Sequence, residues 1–388
     1  MFAHRPETIP FALAAARGAC ARAEIKLLRG GNRCLREPDL NGDGRADVVF
    51  ADFTSSLSVL ISKGDGSFAA GLSYPIENIG NQAARTLVVG DINGDGRADV
   101  VVGNVEQSSI QGFINQGDGS LVAMQQGSFG VGCRPSFMIL RDLSGDGKPD
   151  LVIGCNQPNE VRVLKLESQG SGQPPSFAGM YSHQWTTATS QNNPPAVIGF
   201  AVGELNGDNI PDIAVATDTD LRVLNSPKES GRDYKDYLVS MPLSMRTSAV
   251  GIGDVNGNSV SDLSALVNGQ SVQVFEYATG GAYNQVAVYQ NLGIPGRTTT
   301  QSLGIADMSS DGRSDLVLSL PNPSEIKVAV SRGESGIVAQ PVTLSYQYPM
   351  GQQVCDTCLS LGDISGDGRT DLVLRNGNKI SVLISASR

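Results

Sequence analysis

Asp39-Leu40-Asn41-Gly42-Asp43-Gly44-Arg45-Ala46-Asp47 is the stretch that decides the fold, because it recurs. The second copy is Asp91, Asn93, Asp95, Arg97 and Asp99 at positions 1, 3, 5, 7 and 9. The third is Asp142, Ser144, Asp146, Lys148 and Asp150. The fourth is Glu204, Asn206, Asp208, Ile210 and Asp212. The fifth is weaker, with Asp254, Asn256, Asn258, Val260 and Asp262. The sixth is Asp307, Ser309, Asp311, Arg313 and Asp315, and the seventh Asp363, Ser365, Asp367, Arg369 and Asp371. The first positions are spaced 52, 51, 62, 50, 53 and 56 residues apart, a near-constant period that marks a repeat architecture.

What flanks each copy also repeats. Before it lies a short apolar stretch such as Thr86–Gly90 or Ala249–Gly253. After it come Val48-Val49-Phe50, Val100-Val101-Val102 or Leu316-Val317-Leu318, and then an alternating run such as Leu57–Ile61, Val161–Leu166 or Ile380–Ile384. Short β-branched runs bounded by Gly, Asp, Asn and Pro are strand chemistry. Gly-Asp-Gly-Ser turns at 64–67 and 117–120 lead to a fourth, weaker strand. Each repeat therefore reads as about four antiparallel strands, the size of a propeller blade. The stretch before each loop is expected to be the inner strand, since apolar residues should line a crowded centre. That places all seven loops on one rim.

The pattern resembles the FG-GAP/VCBS repeat family, the calcium-loop blades also found in the integrin α-subunit head. The resemblance runs from about Asp39 to the end. It implies an all-β fold, a seven-bladed β-propeller of four-stranded antiparallel blades.

The ends fit that reading in part. After Asp371 only two more strands follow, so the last blade lacks its outer strand, and Glu24–Leu28 is the candidate to supply it. The alternative is a three-stranded last blade. Residues 24–388 then form one propeller, with 1–23 as a separate N-terminal segment. That segment has a short apolar core at Pro10–Ala16, followed at once by Arg17, and a small-x-small site at Ala21–Ala23. It makes a poor secretory signal. The long third spacing leaves Gln173–Pro195 as a protruding loop holding Tyr181, His183 and the only tryptophan, Trp185. A variable surface excursion is the plainer reading of it.

The loop chemistry is that of a hard cation. Oxygens at positions 1, 3, 5 and 9 with the backbone carbonyl at 7 suit calcium, which takes 6–8 oxygens in irregular geometry. Position 6 must turn sharply. It is Gly in five loops and Asn209 in the fourth. An EF-hand is excluded, because its position 12 needs a Glu. Here that position holds Phe50, Val102, Ile153, Val215, Ala265, Leu318 and Leu374. Metal-free Asx-rich turns are the alternative. But the loops hold 20 of the 39 acidic side chains, and that crowding calls for cations. Several Ca2+ ions, up to six or seven, are expected. Six would move the net charge from −10 to +2. Loop five, with only Asp254 and Asp262, is expected to bind most weakly.

Other chemistry is sparse. A chain at −10 lacks the basic stripe of a nucleic-acid binder. No apolar run reaches the ~20 residues of a membrane helix. Two histidines, His4 and His183, nearly exclude a multi-histidine metal centre. Six cysteines fit an oxidising compartment. Cys133 lies nine residues before loop three and Cys155 five after it, which places them near one another across a hairpin with Cα atoms ~4.4–6.8 Å apart. Cys355-Asp-Thr-Cys358 lacks a redox-domain or zinc context. No catalytic motif is evident. The expectation is a non-catalytic, monomeric, secreted or periplasmic recognition or adhesion module for a glycan or protein ligand, with a calcium-stabilised hydrolase as the alternative.

Overall fold

The computed structural model describes residues 25–26, 35–36, 38–51, 56–65, 67–77, 86–167, 176–183, 195–218, 220–226, 235–239, 247–278, 282–290, 292, 302–321, 324–331, 336–339, 342–347, 359–376 and 379–383. These residues are all-β. Strand β1 (Ile25–Lys26) precedes the first sheet, which holds β2 (Leu35–Arg36), β3 (Val48–Ala51), β4 (Ser56–Leu60) and β5 (Leu72–Pro75). The second holds β6 (Thr86–Gly90), β7 (Asp99–Asn104), β8 (Ser109–Asn115) and β9 (Leu121–Gly130). The third holds β10 (Arg134–Arg141), β11 (Asp150–Asn156), β12 (Glu160–Glu167) and β13 (Ser176–His183). The fourth holds β14 (Val197–Gly203), β15 (Asp212–Thr217), β16 (Leu221–Asn225) and β17 (Lys235–Leu238).

The fifth sheet has β18 (Thr247–Gly253), β19 (Asp262–Val267), β20 (Ser271–Ala278) and β21 (Ala282–Tyr289). The sixth has β22 (Ser302–Ala306), β23 (Asp315–Pro321), β24 (Ser324–Val330) and β26 (Val342–Gln347). Between the last two of these, β25 (Gly336–Ala339) leaves its own repeat and pairs parallel with β21, so the fifth sheet has five strands. The seventh has β27 (Leu359–Gly362), β28 (Asp371–Asn376) and β29 (Lys379–Leu383), and β1 pairs antiparallel with β29, Ile25 opposite Ile380. Strict four-strand repetition thus gives way in one sheet of the seven. The pairing of β25 satisfies backbone groups on an edge that would otherwise remain open.

The sheets are joined by cores that form a closed cycle. Val49, Leu57 and Val59 of the first sheet pack with Leu87, Val100 and Phe113 of the second. Val101 and Ile110 of the second meet Leu151 and Ile153 of the third. Val152 and Val163 then meet Ile213 and Val215 of the fourth, whose Ala214 and Val223 meet Leu263 and Phe275 of the fifth. Leu266 and Val274 pack on Leu316 and Leu318 of the sixth, and Val317 and Val328 on Leu372 of the seventh. Val373 and Ile364 of the seventh close the cycle on Val48 and Phe50 of the first.

Strand two of a sheet therefore has both faces covered, which is why its sequence is continuously apolar rather than alternating. Strands β7, β15 and β19 are buried at every position. The strand before each loop is the innermost, and these seven strands contact one another in turn round the ring. They are nevertheless less buried than the second strands: β22 and β27 are only partly buried throughout, and β14 and β18 at most positions. Apolarity was a correct guide to their place and a poor one to their burial, because an innermost strand has a free edge at the ring's axis. Close approach sets their composition. A Cβ at Gly251 would stand 2.5 Å from the Ile305 side chain, and one at Gly304 2.8 Å from Leu361.

The stretch Gln173–Pro195 is not a single protruding loop. Ser176–His183 forms the outer strand β13, with Phe177 opposite Leu166 and His183 opposite Val161. Its small residues hid the strand pattern. Trp185 and residues 184–194 lie outside the described residues, as do Cys20, Cys34, Cys355, Cys358 and residues 1–24. Cys133 and Cys155 are joined in a disulfide with Cα atoms 5.7 Å apart.

Candidate metal centres

Every nine-residue motif is described, and each joins the first two strands of its sheet. Two tight turns shape the loop. Position 6 takes a left-handed backbone in all seven copies, at Gly44, Gly96, Gly147, Asn209, Ser259, Gly312 and Gly368. Position 4 does the same, at Gly42, Gly94, Gly145, Gly207, Gly257, Ser310 and Gly366. The second turn is readable as a recurrent glycine at position 4. Ser259 and Ser310 carry a Cβ where Gly costs least, about 1 kcal/mol each. Ser310→Gly is expected to raise stability by up to about 1 kcal/mol, less what the freer unfolded chain offsets. A denaturation midpoint shifted the other way would contradict the strain reading.

The carboxylate at position 1 holds both turns. In loop one the Gly42 amide donates to Asp39 Oδ1 at 2.7 Å and the Gly44 amide to Oδ2 at 2.9 Å. Loop two repeats this with Asp91 at 2.6 and 2.8 Å, and loop seven with Asp363 at 2.7 Å twice. In loop four the longer Glu204 uses Oε1 alone, accepting from Asn206, Gly207 and Asp208. Position 5 accepts from the amide of position 7, as Asp43 does from Arg45 at 3.0 Å.

Position 9 is different in kind. Asp47, Asp99, Asp150, Asp212, Asp262, Asp315 and Asp371 are all fully buried. Asp99 Oδ2 accepts from the Ile92 amide at 3.0 Å and Oδ1 from the Asn115 amide at 2.8 Å, pinning the loop to the third strand. Asp47 does this with Leu40 and Ser62, and Asp315 with Met308 and Ser331. The third-strand residue then ties sheet to sheet. Asn115 Nδ2 donates to the Leu40 carbonyl of loop one at 2.9 Å, Ser62 Oγ to Ile364 of loop seven at 2.9 Å, and Ser331 Oγ to Val255 of loop five. The Ala46 amide donates to the Asp363 carbonyl and the Ser314 amide to that of Asp254. Loops seven, one and two, and loops five and six, thus lie side by side at one end of their sheets.

The donor set of carboxylate, amide and hydroxyl oxygens is of the type a hard cation takes, and in four loops the position-3 amide is hydrogen-bonded to a carboxylate of the same loop. In loops four and five the position-3 amide nitrogen donates to the position-9 carboxylate, at 3.2 Å from Asn206 to Asp212 and 3.1 Å from Asn256 to Asp262. In loops one and two it donates to position 5, at 3.1 Å. In loop three, Ser144 Oγ and Asp150 Oδ1 are buried without a hydrogen-bond partner. No loop brings three carboxylates within 4.8 Å of one another among the described residues. Two N–H donors still leave a carboxylate at position 9 with lone pairs to spare, so anchoring the loop and ligating are compatible roles.

Burial makes charge at position 9 costly. Burial, partly offset by the amide donors and increased by the neighbouring carboxylates, pushes Asp47, Asp99 and Asp315 up to about 6. Asp212 and Asp262 rise to about 7, and Asp150 is raised as well. A carboxyl with a folded pKa above its unfolded value binds its proton more tightly when folded. The calcium-free protein is therefore expected to be most stable near pH 4 and to lose stability as pH rises through 6 to 7. The carboxyls that are lowered, Asp43, Asp65, Asp118 and Asp146, are ionised in both states as pH rises through 6 to 7. Melting in EDTA at pH 5 and pH 8 checks this. A higher melting temperature at pH 8 would count against it.

Two residues outside the motif alter individual loops. Lys165 on β12 forms an ion pair with Asp146 at 2.9 Å, holding that carboxyl below its usual range. Glu276 on β20 accepts hydrogen bonds from Asn256 Nδ2 and, at 3.0 Å, from Asn258 Nδ2. The motif counts two carboxylates in loop five, and the fold adds this third. The ranking by motif alone is therefore incomplete: loop three carries its own cation and loop five an extra anion. Glu276→Gln is expected to weaken cation binding at loop five while leaving loop two unchanged. Equal titrations of the variant and the parent chain would show that Glu276 plays no part. Neither residue is visible in a nine-residue window, because each arrives on the returning strand.

Seven like loops on seven sheets packed in a cycle define a repeat protein in which each unit buries its neighbour's face. Residues 39–102 and 91–153 match the family model described as an FG-GAP-like repeat, so this part of the chain is built of FG-GAP-like repeats. Most of the chain is similar in fold to a solved structure described as BBS1N in complex with ARL6DN, soaked with mercury. That match has a TM-score of 0.59 and 14% identity, and covers 94% of this chain and 95% of that one. The same complex soaked with lead gives a TM-score of 0.55 and 13% identity, covering 94% and 98%.

Proposed function

We propose that the chain is a seven-bladed β-propeller that binds calcium in its nine-residue loops and acts as a non-catalytic module for recognising a protein partner. The observation that carries this reading is repetition. The chemistry-bearing side chains occur in seven equivalent loops joined from sheet to sheet, as ligands of a scaffold would, whereas an acid/base pair would stand once in one cleft. Bound calcium would neutralise the loop carboxylates and leave the basic residues at position 7, Arg45, Arg97, Lys148, Arg313 and Arg369, on the same rim. Similarity to a fold that is solved with a protein bound supports a protein partner over a glycan. The Cys133–Cys155 bridge supports an oxidising, extracytoplasmic setting. No helix among the described residues is long and apolar enough to cross a membrane.

The test is binding by the calcium-loaded chain, using a glycan array and a defined panel of extracellular proteins, each with calcium and with EDTA. Calcium-dependent binding to one protein, abolished by charge reversal at Arg45 and Arg313, is expected. Calcium-dependent binding confined to glycans would redirect the reading. Turnover of an ester or glycoside substrate that depends on a single loop carboxylate would overturn it.

A further inference from the structure

At the end of β11 remote from its loop, three potential ligands meet. Cys133, Cys155 and Glu160 place one ligand atom each within 4.8 Å of one another, the only such trio among the described residues. All are buried, at 1%, 0% and 1% exposure. The strand register sets this up, because Glu160 on β12 lies directly opposite Cys155 on β11, and β10 brings Cys133 to the other side. A carboxylate this deep needs compensation. Arg162 provides it, pairing with Glu160 Oε1 while its Nη1 donates to the Val131 carbonyl at 2.7 Å. That second bond fixes the guanidinium to the segment that carries Cys133.

In the oxidised chain Glu160 is held by Arg162 beside the disulfide, and the two sulfurs next to it become ligands only when the S–S bond is reduced. We propose that Cys133, Cys155 and Glu160 form a redox-gated site for a thiophilic divalent cation such as zinc. In the oxidised chain the disulfide closes the site. A dithiol reductant opens it by supplying two electrons and two protons. The S–S bond breaks, two thiols form, and the reductant becomes a disulfide. The cation then displaces the two thiol protons to solvent and takes two thiolate sulfurs and one Glu160 oxygen, leaving a position for water. Zinc commonly keeps such a three-ligand set with one open position.

Charge supports the pairing of states. Glu160 and Arg162 sum to zero in the oxidised form. Adding two thiolates and a divalent cation again sums to zero, so the buried cluster stays neutral in both. Arg162, bound to the carboxylate, orients the ligand as outer partners of metal sites do. The site is separate from the calcium loops in place and in chemistry, since thiolates select soft cations and the loops offer only hard oxygens.

The test uses the full chain with Cys20, Cys34, Cys355 and Cys358 replaced by Ser, in excess calcium to fill the loops. Cobalt(II) is titrated into the reduced protein without oxygen. The expected result is thiolate-to-cobalt charge-transfer bands that saturate at one equivalent and are removed by zinc. They are absent from the oxidised protein and from Cys155→Ser. Glu160→Gln, which keeps both thiols, is expected to weaken binding by on the order of tenfold. Circular dichroism on the same samples follows folding. The proposal is overturned if the folded, reduced chain shows no bands. It is equally overturned if the bands survive Cys155→Ser, if Glu160→Gln binds as the parent does, or if reduction unfolds the chain before any cobalt binds.

Discussion

Removing calcium with EDTA is expected to lower the melting temperature of this chain by about 10–20 °C. An ion that binds only the folded state adds ~2.7 kcal/mol at a hundredfold excess over its Kd. Two filled loops then contribute about 5 kcal/mol, a large share of the ~5–15 kcal/mol typical of a folded protein. For a large domain each kcal/mol moves the midpoint by roughly 2–4 °C. Hydrogen bonds between neighbouring loops tie one sheet to the next, so the loss should spread along the ring rather than stay local. The amides of Ala46 and Ser314 donate directly to carbonyls of the neighbouring loops. The effect should appear with EDTA and be restored by calcium in preference to magnesium, which demands a regular octahedron and holds its waters. An unchanged melt in EDTA would remove the argument that calcium stabilises the fold.

The second large effect separates an anchor from a ligand within one loop. Asp99→Ala is expected to destabilise the chain by about 2–6 kcal/mol with or without calcium. It leaves the buried Ile92 and Asn115 amides without their acceptor, at about 1–3 kcal/mol each. The loss is tempered because burial already raises the Asp99 carboxyl to about 6, so its charged form is costly in the native state. Asp95→Ala in the same loop removes an exposed carboxylate that accepts from the Arg97 amide at 2.9 Å. It should change stability little in EDTA and should lower it when calcium is present. Denaturant titration of both variants in both conditions gives four midpoints. If Asp95→Ala were as damaging as Asp99→Ala in EDTA, the division of roles along the loop would be wrong.

Much of this was legible because it is written locally and seven times. The loop spacing, the apolar position 12 and the strand runs on either side needed only a nine-residue window and a period. The approach of Cys133 to Cys155 followed from counting residues to either side of loop three, and the two are bridged. What a window could not show is what arrives from elsewhere. Glu276 and Lys165 reach their loops on a returning strand, one sheet-width away in sequence. Glu160 joins the two cysteines for the same reason. β25 pairs with a neighbouring sheet, and nothing in Gly336–Ala339 itself marks that destination. Ser176–His183 was obscured by its small residues, and innermost strands such as β22 and β27 proved only partly buried because their burial depends on a free edge rather than on composition.

The most direct test of the central claim is equilibrium dialysis of the intact chain against radioactive calcium at pH 7.5, with protein concentration fixed by amino-acid analysis. The account expects several ions per chain, up to six or seven. Asp95→Ala should remove about one of them and leave the rest in place. Binding of no ion, or of a single ion indifferent to Asp95→Ala, would contradict it.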